Sequence, residues 1–171
     1  MNRNPDSIVV TKRGARFRGR ELCCSVGRNG ITTRKREGDG ATPAGVFRLL
    51  SVLYRPDRIG VAGLAGAMPI LGSDIWSDDP LDPEYNHLTH SIGIRRFSHE
   101  RLRRPDGQYD LVVPIDHNWP CAVPNGGSAI FMHIWRKPRH PTAGCIAFSR
   151  DDLIWIVQRL NERTRLIVRA F

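Results

Sequence analysis

Lysine is scarce in this chain, standing only at positions 12, 35 and 137, yet the net charge is +9. Arginine therefore carries nearly all of the positive charge, and the arginines are scattered rather than gathered into a basic run. Without such a run, and without a helix-turn-helix, zinc-finger or aromatic RNA-binding pattern, specific nucleic-acid recognition is the lesser reading. The arginine excess fits anionic partners, whose oxygens match the guanidinium fork, or simply the base composition of the coding DNA. No window approaches the ~20 apolar residues of a membrane span, so no span is expected. The opening residues, Met1 to Val10, also lack the apolar core of a signal peptide. Four cysteines stand at 23, 24, 121 and 145, with no Cys-x-x-Cys and no paired Cys/His knuckle. No structural zinc site is expected from that spacing, and neither a metal nor an organic cofactor is called for. A bridge between the neighbours Cys23 and Cys24 is strained. Those two, and Cys121, are expected to be small packing side chains.

Repeats, low-complexity tracts and linkers are missing too, which leaves a single domain over 1–171, long enough to bury a real core. Ser7 to Lys12 and Arg18 to Val26 read as strands around the turn signal Arg13-Gly14. A polar, glycine-rich loop follows from Arg28 to Gly45, then a strand from Val46 to Leu53. Ile59 to Glu84 reads as irregular, with a short strand near Met68 to Leu71. Ile92 to Phe97 fits either a strand or a short helix. Tyr109 to Ile115 and Ala129 to Trp135 are dense in β-branched and aromatic residues and predict central strands. One helix is expected from Ser149 to about Glu162, with Asp152 three residues after its capping serine and an apolar stripe at Leu153, Ile156, Val157 and Leu160. Arg165 to Phe171 closes as a strand. Many short strands with one late helix predict a mainly β, sandwich-like fold.

Chemistry concentrates in Phe131 to Ser149. His133 lies at the end of an apolar strand, and twelve positions later Cys145 follows Gly144, just ahead of the helix start. A thiol needs a base to become a strong nucleophile, and an acyl-transfer site needs free backbone N–H groups for its oxyanion. Gly144, with no side chain, leaves room for a substrate carbonyl to approach. His140 is a rival base, closer in sequence but set between Pro138 and Pro141 in a loop. His87, His90, His99 and His117 have no comparable context. Read alone, His133 fits a core histidine and Cys145 an inert buried thiol; the glycine turn and the block described next weigh against both.

Gly38-Asp-Gly-Ala-Thr42-Pro43-Ala-Gly45-Val-Phe47 resembles the Thr-Pro-x-Gly-x-Phe signature of the L,D-transpeptidase catalytic domain. Gly127-Ser128-Ala-Ile-Phe-Met-His133 and Thr142-Ala-Gly144-Cys145 resemble that family's catalytic block. Trp76-Ser-Asp78-Asp79-Pro and Glu84-Tyr85-Asn86 are similar to a segment of its compact bacterial branch. The resemblance implies an L,D-transpeptidase-like β-sandwich whose helix follows the catalytic cysteine turn. It implies Cys145 as nucleophile, His133 as general base oriented by the Ile134 carbonyl, and the Gly144 and Cys145 amides as oxyanion donors. Thr142, Tyr85, Asn86, Asp79, Asn118 and Arg136 are the substrate-binding candidates, with Asp78 beside them; a solvated loop suits the two aspartates equally well. Thr42-Pro43 is expected to fix a loop.

The chain departs from the family at Ala143, where many members carry histidine, and at Ala147, where they carry a basic or amide residue. Arg136, Lys137 or Arg139 then has to bind a substrate carboxylate, or the substrate differs. The implied function is peptidoglycan crosslinking of the 3→3 type, with donor stem tetrapeptides and an acceptor amine as partners and the periplasm or cell envelope as location. A cytoplasmic location stays open, given the opening residues. The alternatives are an L,D-carboxypeptidase or amide hydrolase with the same Cys/His pair, a non-catalytic basic module binding cell wall or nucleic acid, and a metal-dependent peptidase.

Overall fold

The computed structural model describes residues 5–60, 64 and 66–170. Its strands are Ser7–Thr11 (β1), Gly14–Phe17 (β2), Arg20–Leu22 (β3), Cys24–Ser25 (β4), Ile31–Thr32 (β5) and Thr42–Pro43 (β6). Next come Gly45–Arg48 (β7), Leu53–Tyr54 (β8), Met68–Pro69 (β9), Asp74–Ser77 (β10), Leu88–His90 (β11) and His99–Arg101 (β12). Leu111–Pro114 (β13), Phe131–Ile134 (β14), Ile146–Phe148 (β15), the helix Arg150–Val157 (α1) and Arg165–Val168 (β16) complete the chain. The fold is mainly β with one late helix, as the pattern of short strands predicts.

Three layers result. One sheet runs β3-β2-β1-β16-β7, a second runs β4-β15-β14-β13-β8-β9, and a third runs β11-β10-β12; β5 and β6 pair separately. Period-two alternation sorts the second sheet's side chains between two cores. Leu111, Val113, Met132, Ile134, Ile146 and Phe148 meet Ile8, Val10, Phe17 and Leu166 of the first sheet. Val112, Phe131 and Cys145 face the other way, toward Trp76, Leu102 and Tyr109. The second sheet is therefore covered on both faces, which is why β13, β14 and β15 are buried at every residue and read as continuous apolar runs.

The helix begins as its sequence predicts. Ser149 accepts a hydrogen bond from the Asp152 N–H at 3.1 Å, and Leu153, Ile156 and Val157 enter the first core. It stops at Val157, earlier than the expected Glu162, because Asn161 and Thr164 brace a turn into β16 through their own side chains. Four other expectations need correction. The strand expected over 46–53 is two strands in different sheets: β7 pairs with β16, and β8 pairs with β13. The one expected over Arg18 to Val26 is likewise split between sheets as β3 and β4. Asp74–Ser77, inside the stretch expected to be irregular, is the middle strand of the third sheet. Residues 92–97 are neither strand nor helix. The expected end of the last strand at Phe171 lies outside the described residues.

Candidate active site

The strand β14 runs parallel to β15, with His133 beside Ala147 and Met132 beside Ile146. Parallel partners project to the same side, and so do residues two apart along a strand. Cys145, one position before Ile146, therefore shares a face with Ala147, Phe131 and His133. Parallel pairing also demands a crossover rather than a tight hairpin. The crossover here is residues 135–145, and it delivers the cysteine to the sheet on a turn.

That turn is held by hydroxyls. The Thr142 Oγ1 donates to the Cys145 carbonyl at 2.6 Å and accepts the Gly144 N–H at 3.1 Å. From the opposite side, the fully buried Thr42 donates to the same carbonyl at 3.4 Å and accepts the Gly27 N–H at 2.9 Å. Thr42 thus carries the loop-fixing role expected of Thr42-Pro43. Gly144 has φ +150°, and a Cβ there would meet the Ala41 carbonyl oxygen at 3.0 Å and Ile130 Cδ1 at 3.3 Å. Close packing therefore also favours glycine here, while Gly144 itself lines the cavity described below. The Gly144 N–H is already given to Thr142, whereas no hydrogen bond among the described residues uses the Cys145 N–H.

The Cys145 thiol donates to the Ala129 carbonyl at 3.2 Å, and its sulfur accepts the Phe131 N–H at 3.4 Å. Burial pushes the thiol up to about 12; the Phe131 N–H opposes that, Glu100 reinforces it and Lys35 opposes it. His133 is buried, with Nδ1 2.8 Å from the Ile134 carbonyl. A carbonyl only accepts, so Nδ1 holds the proton and Nε2 keeps a lone pair. Burial lowers this imidazole to about 4, against a smaller opposing pull from the Ile134 carbonyl. The Tyr109 ring packs edge-on against it at 5.3 Å. At neutral pH, then, thiol and imidazole are both uncharged.

Both residues line one cavity of about 340 Å³. Arg28, Lys35, Arg104 and Arg136 give its walls positive charge, while Glu37, Asp78 and Glu100 give negative charge. Burial raises the Glu100 carboxyl above its ordinary range, with Arg104 and the Tyr109 hydroxyl pulling the other way. His140 and Ala147 line the cavity as well, whereas Lys137 and Arg139 are not among its lining residues. No group of three His, Cys, Asp or Glu suited to a metal occurs among the described residues, and no helix there is long and apolar enough to cross a membrane.

Of the expected substrate-binding residues, Arg136 and Thr142 reach the cavity, the latter with its hydroxyl spent on the turn. Tyr85, Asn86, Asp79 and Asn118 do not line it. Tyr85 is buried, donating to Glu37 Oε2 at 2.5 Å and accepting the Gly127 N–H at 3.1 Å. Asn86 uses all four of its amide positions internally. Its Oδ1 accepts from Trp76 Nε1 and the Ala129 N–H, and its Nδ2 donates to the carbonyls of His117 and Asn118. Asp79 accepts the backbone N–H groups of Leu81 and Ser98. Asn118 braces residues 118–127 by donating to the carbonyls of Val123 and Gly127. Cys23 and Cys121 are exposed rather than packed, because each sits at a surface turn or strand edge; only Cys24 leans on the core. Sequence reasoning missed Lys35, Arg28, Tyr109 and Glu100 as cavity residues. Lys35 lies within the glycine-rich loop, followed by Arg36, Glu37 and Asp39, and nothing local shows that this segment folds onto the cysteine turn.

A strand-borne histidine and a cysteine on a glycine turn thus face one cavity from adjacent parallel strands. The family model of the L,D-transpeptidase catalytic domain (YkuD) matches residues 3–168, and the chain belongs to this family of cysteine-dependent transpeptidases. Among solved structures it is similar to an L,D-transpeptidase from Mycobacterium smegmatis, with 15% identity and a TM-score of 0.42. That match covers 96% of this chain and 58% of the other, so the chain spans less than two thirds of that protein's length. No curated protein matches the sequence.

Proposed function

We propose that the protein is a peptidoglycan L,D-transpeptidase of the cell envelope that forms 3→3 crosslinks through a thioester on Cys145, with His133 as general base and acid. The observation that carries this reading is the placement of Cys145 and His133 on one face of the central sheet, at the wall of one cavity. A cavity walled by both signs of charge also suits a peptide stem, which carries ammonium and carboxylate groups together.

The thiol first leaves the Ala129 carbonyl and turns toward the substrate. As Sγ attacks the carbonyl between the diamino acid and terminal D-alanine, its proton passes to His133 Nε2. The S–C bond forms, and the oxyanion is held by the Cys145 N–H. His133 then returns the proton to the departing nitrogen, the C–N bond breaks and D-alanine leaves. The amine of a second stem attacks the thioester and gives its proton to His133; that proton returns to sulfur as the S–C bond breaks and the new amide is complete. A thiol near 12 and an imidazole near 4 do not form a standing ion pair, so proton transfer accompanies attack rather than preceding it.

The test is incubation with a disaccharide-tetrapeptide and an acceptor stem, followed by mass spectrometry. The expected products are free D-alanine and a dimer joined between diamino acids, both lost in Cys145→Ala. Full turnover by Cys145→Ala ends the proposal, and release of D-alanine with no dimer at any acceptor concentration replaces it with a carboxypeptidase.

A further inference from the structure

Lys35 differs from the other cations of the cavity wall in being buried, with its side chain 6% exposed. Its stem passes over Gly127, where a Cβ would stand 2.9 Å from Lys35 Cγ and 3.0 Å from Cε. Its Nζ ends 3.5 Å from where a Cβ on Gly144 would be. The ammonium is therefore threaded past one glycine to rest against another, next to the nucleophile. Of its three N–H donors, one goes to Asp39 Oδ1 at 2.5 Å and one to the Arg36 carbonyl at 3.1 Å. Asp39 is itself fixed by the backbone N–H groups of Arg36 and Ala41. The third donor has no acceptor among the described residues, and Lys35 lines the cavity.

In a donor peptide cut before its last residue, the terminal carboxylate lies about one Cα–Cα step, ~3.8 Å, beyond the bond that breaks. A cation seated on the residue before the nucleophile has that reach. We propose that Lys35 binds the free carboxylate of the acyl donor against the Gly144–Cys145 turn and so selects donors with an unblocked end. The inference rests on the acyl-transfer reading above, and its test separates the two.

Alkylation of Cys145 by iodoacetate and by iodoacetamide compares an anion with a neutral twin at the same sulfur, independently of any peptidoglycan reaction. It is read in a background with Cys23, Cys24 and Cys121 changed to serine. Lys35→Met is expected to slow iodoacetate about ten-fold or more, the worth of a charge-assisted hydrogen bond, and iodoacetamide hardly at all. Lys35→Met/Asp39→Asn, which leaves no orphaned carboxylate, is expected to behave alike and to melt as a folded protein. Equal slowing of both reagents, or an unchanged ratio in either variant, overturns the assignment. With tetrapeptide donors, KM for the C-terminal carboxamide is expected to exceed that for the free acid about ten-fold, a difference that Lys35→Met abolishes. An equal fall in kcat on both donors overturns the assignment as well. If the wild type turns over neither donor while the alkylation ratio still follows Lys35, the anion site stands and the transpeptidase reading falls.

Discussion

Cys145 and His133 are buried at the cavity wall, and that sets how either can react. The imidazole, lowered to about 4, is a neutral base through the whole physiological range. With His133 as the base, kcat/KM should climb as pH rises through about 4 and lie flat across 6.5, where an unperturbed histidine would give an inflection. An inflection near 6.5 in the measured profile would overturn His133 as the base. His133→Gln is expected to lower kcat by ~10²–10⁴, while thermal melting shows the fold intact. These two residues were legible in sequence because their context is local: an apolar strand ending in histidine, and a glycine turn ahead of a helix cap. The polar candidates were not. Tyr85, Asn86 and Asn118 look fit for binding, yet their hydrogen bonds go inside the fold to Glu37, Trp76, Ala129 and Gly127, Tyr85 and Asn86 reaching partners more than forty positions away. Whether a polar side chain serves the substrate or the fold depends on who else claims its donors, and that is a tertiary fact.

The segment that matters most is the turn from Thr142 to Cys145 with the strand β15 that follows it, clamped by threonines at one end and a serine cap at the other. Thr142→Val keeps the shape and removes both hydroxyl bonds. It should cost about 1–3 kcal/mol in urea unfolding and lower kcat further than stability alone explains, since the Cys145 N–H then drifts. Retention of full kcat would show that the hydroxyl serves the fold only. Ser149→Ala removes the cap bond to Asp152 and should cost about 1 kcal/mol, read from the urea midpoint, with kcat nearly unchanged because the helix stays packed through Leu153 and Ile156. The strand pattern located β13 and β14 because long apolar runs announce strands buried on both faces. It could not show that the chain changes sheets between Arg48 and Leu53, since each half is β-prone and only pairing partners differ. Asp74–Ser77, as long as β13 or β14, was hidden by its polar ends.

At the scale of the whole molecule, three layers seal the second core, and the buried groups there couple stability to pH at both ends. His133 binds its proton less readily when folded. As pH falls from about 6.5 toward 4 the unfolded chain gains a proton that the native state refuses, and stability drops. The carboxyls of Asp39, Asp82 and Asp106 act in the same direction, because each is held below its ordinary value in the fold and loses that advantage on protonation in acid. A net charge of +9, growing in acid, adds self-repulsion. Cys145 works at the other end. Its thiol titrates near 9 when unfolded and about 12 when folded, so stability falls as pH rises across that interval. The His133 and Cys145 shifts are each worth on the order of a few kcal/mol (about 1.4 per unit), enough to be visible in a domain whose total is about 5–15. Urea unfolding of the wild type should therefore give a plateau between about pH 6.5 and 9 with a slope on either side. Cys145→Ala should flatten the alkaline limb by up to a few kcal/mol and leave the acid limb alone, and His133→Gln should do the reverse. Parallel curves for wild type and Cys145→Ala above pH 9 would mean that burial does not hold the thiol up, and the proposed proton-coupled attack would fall with it.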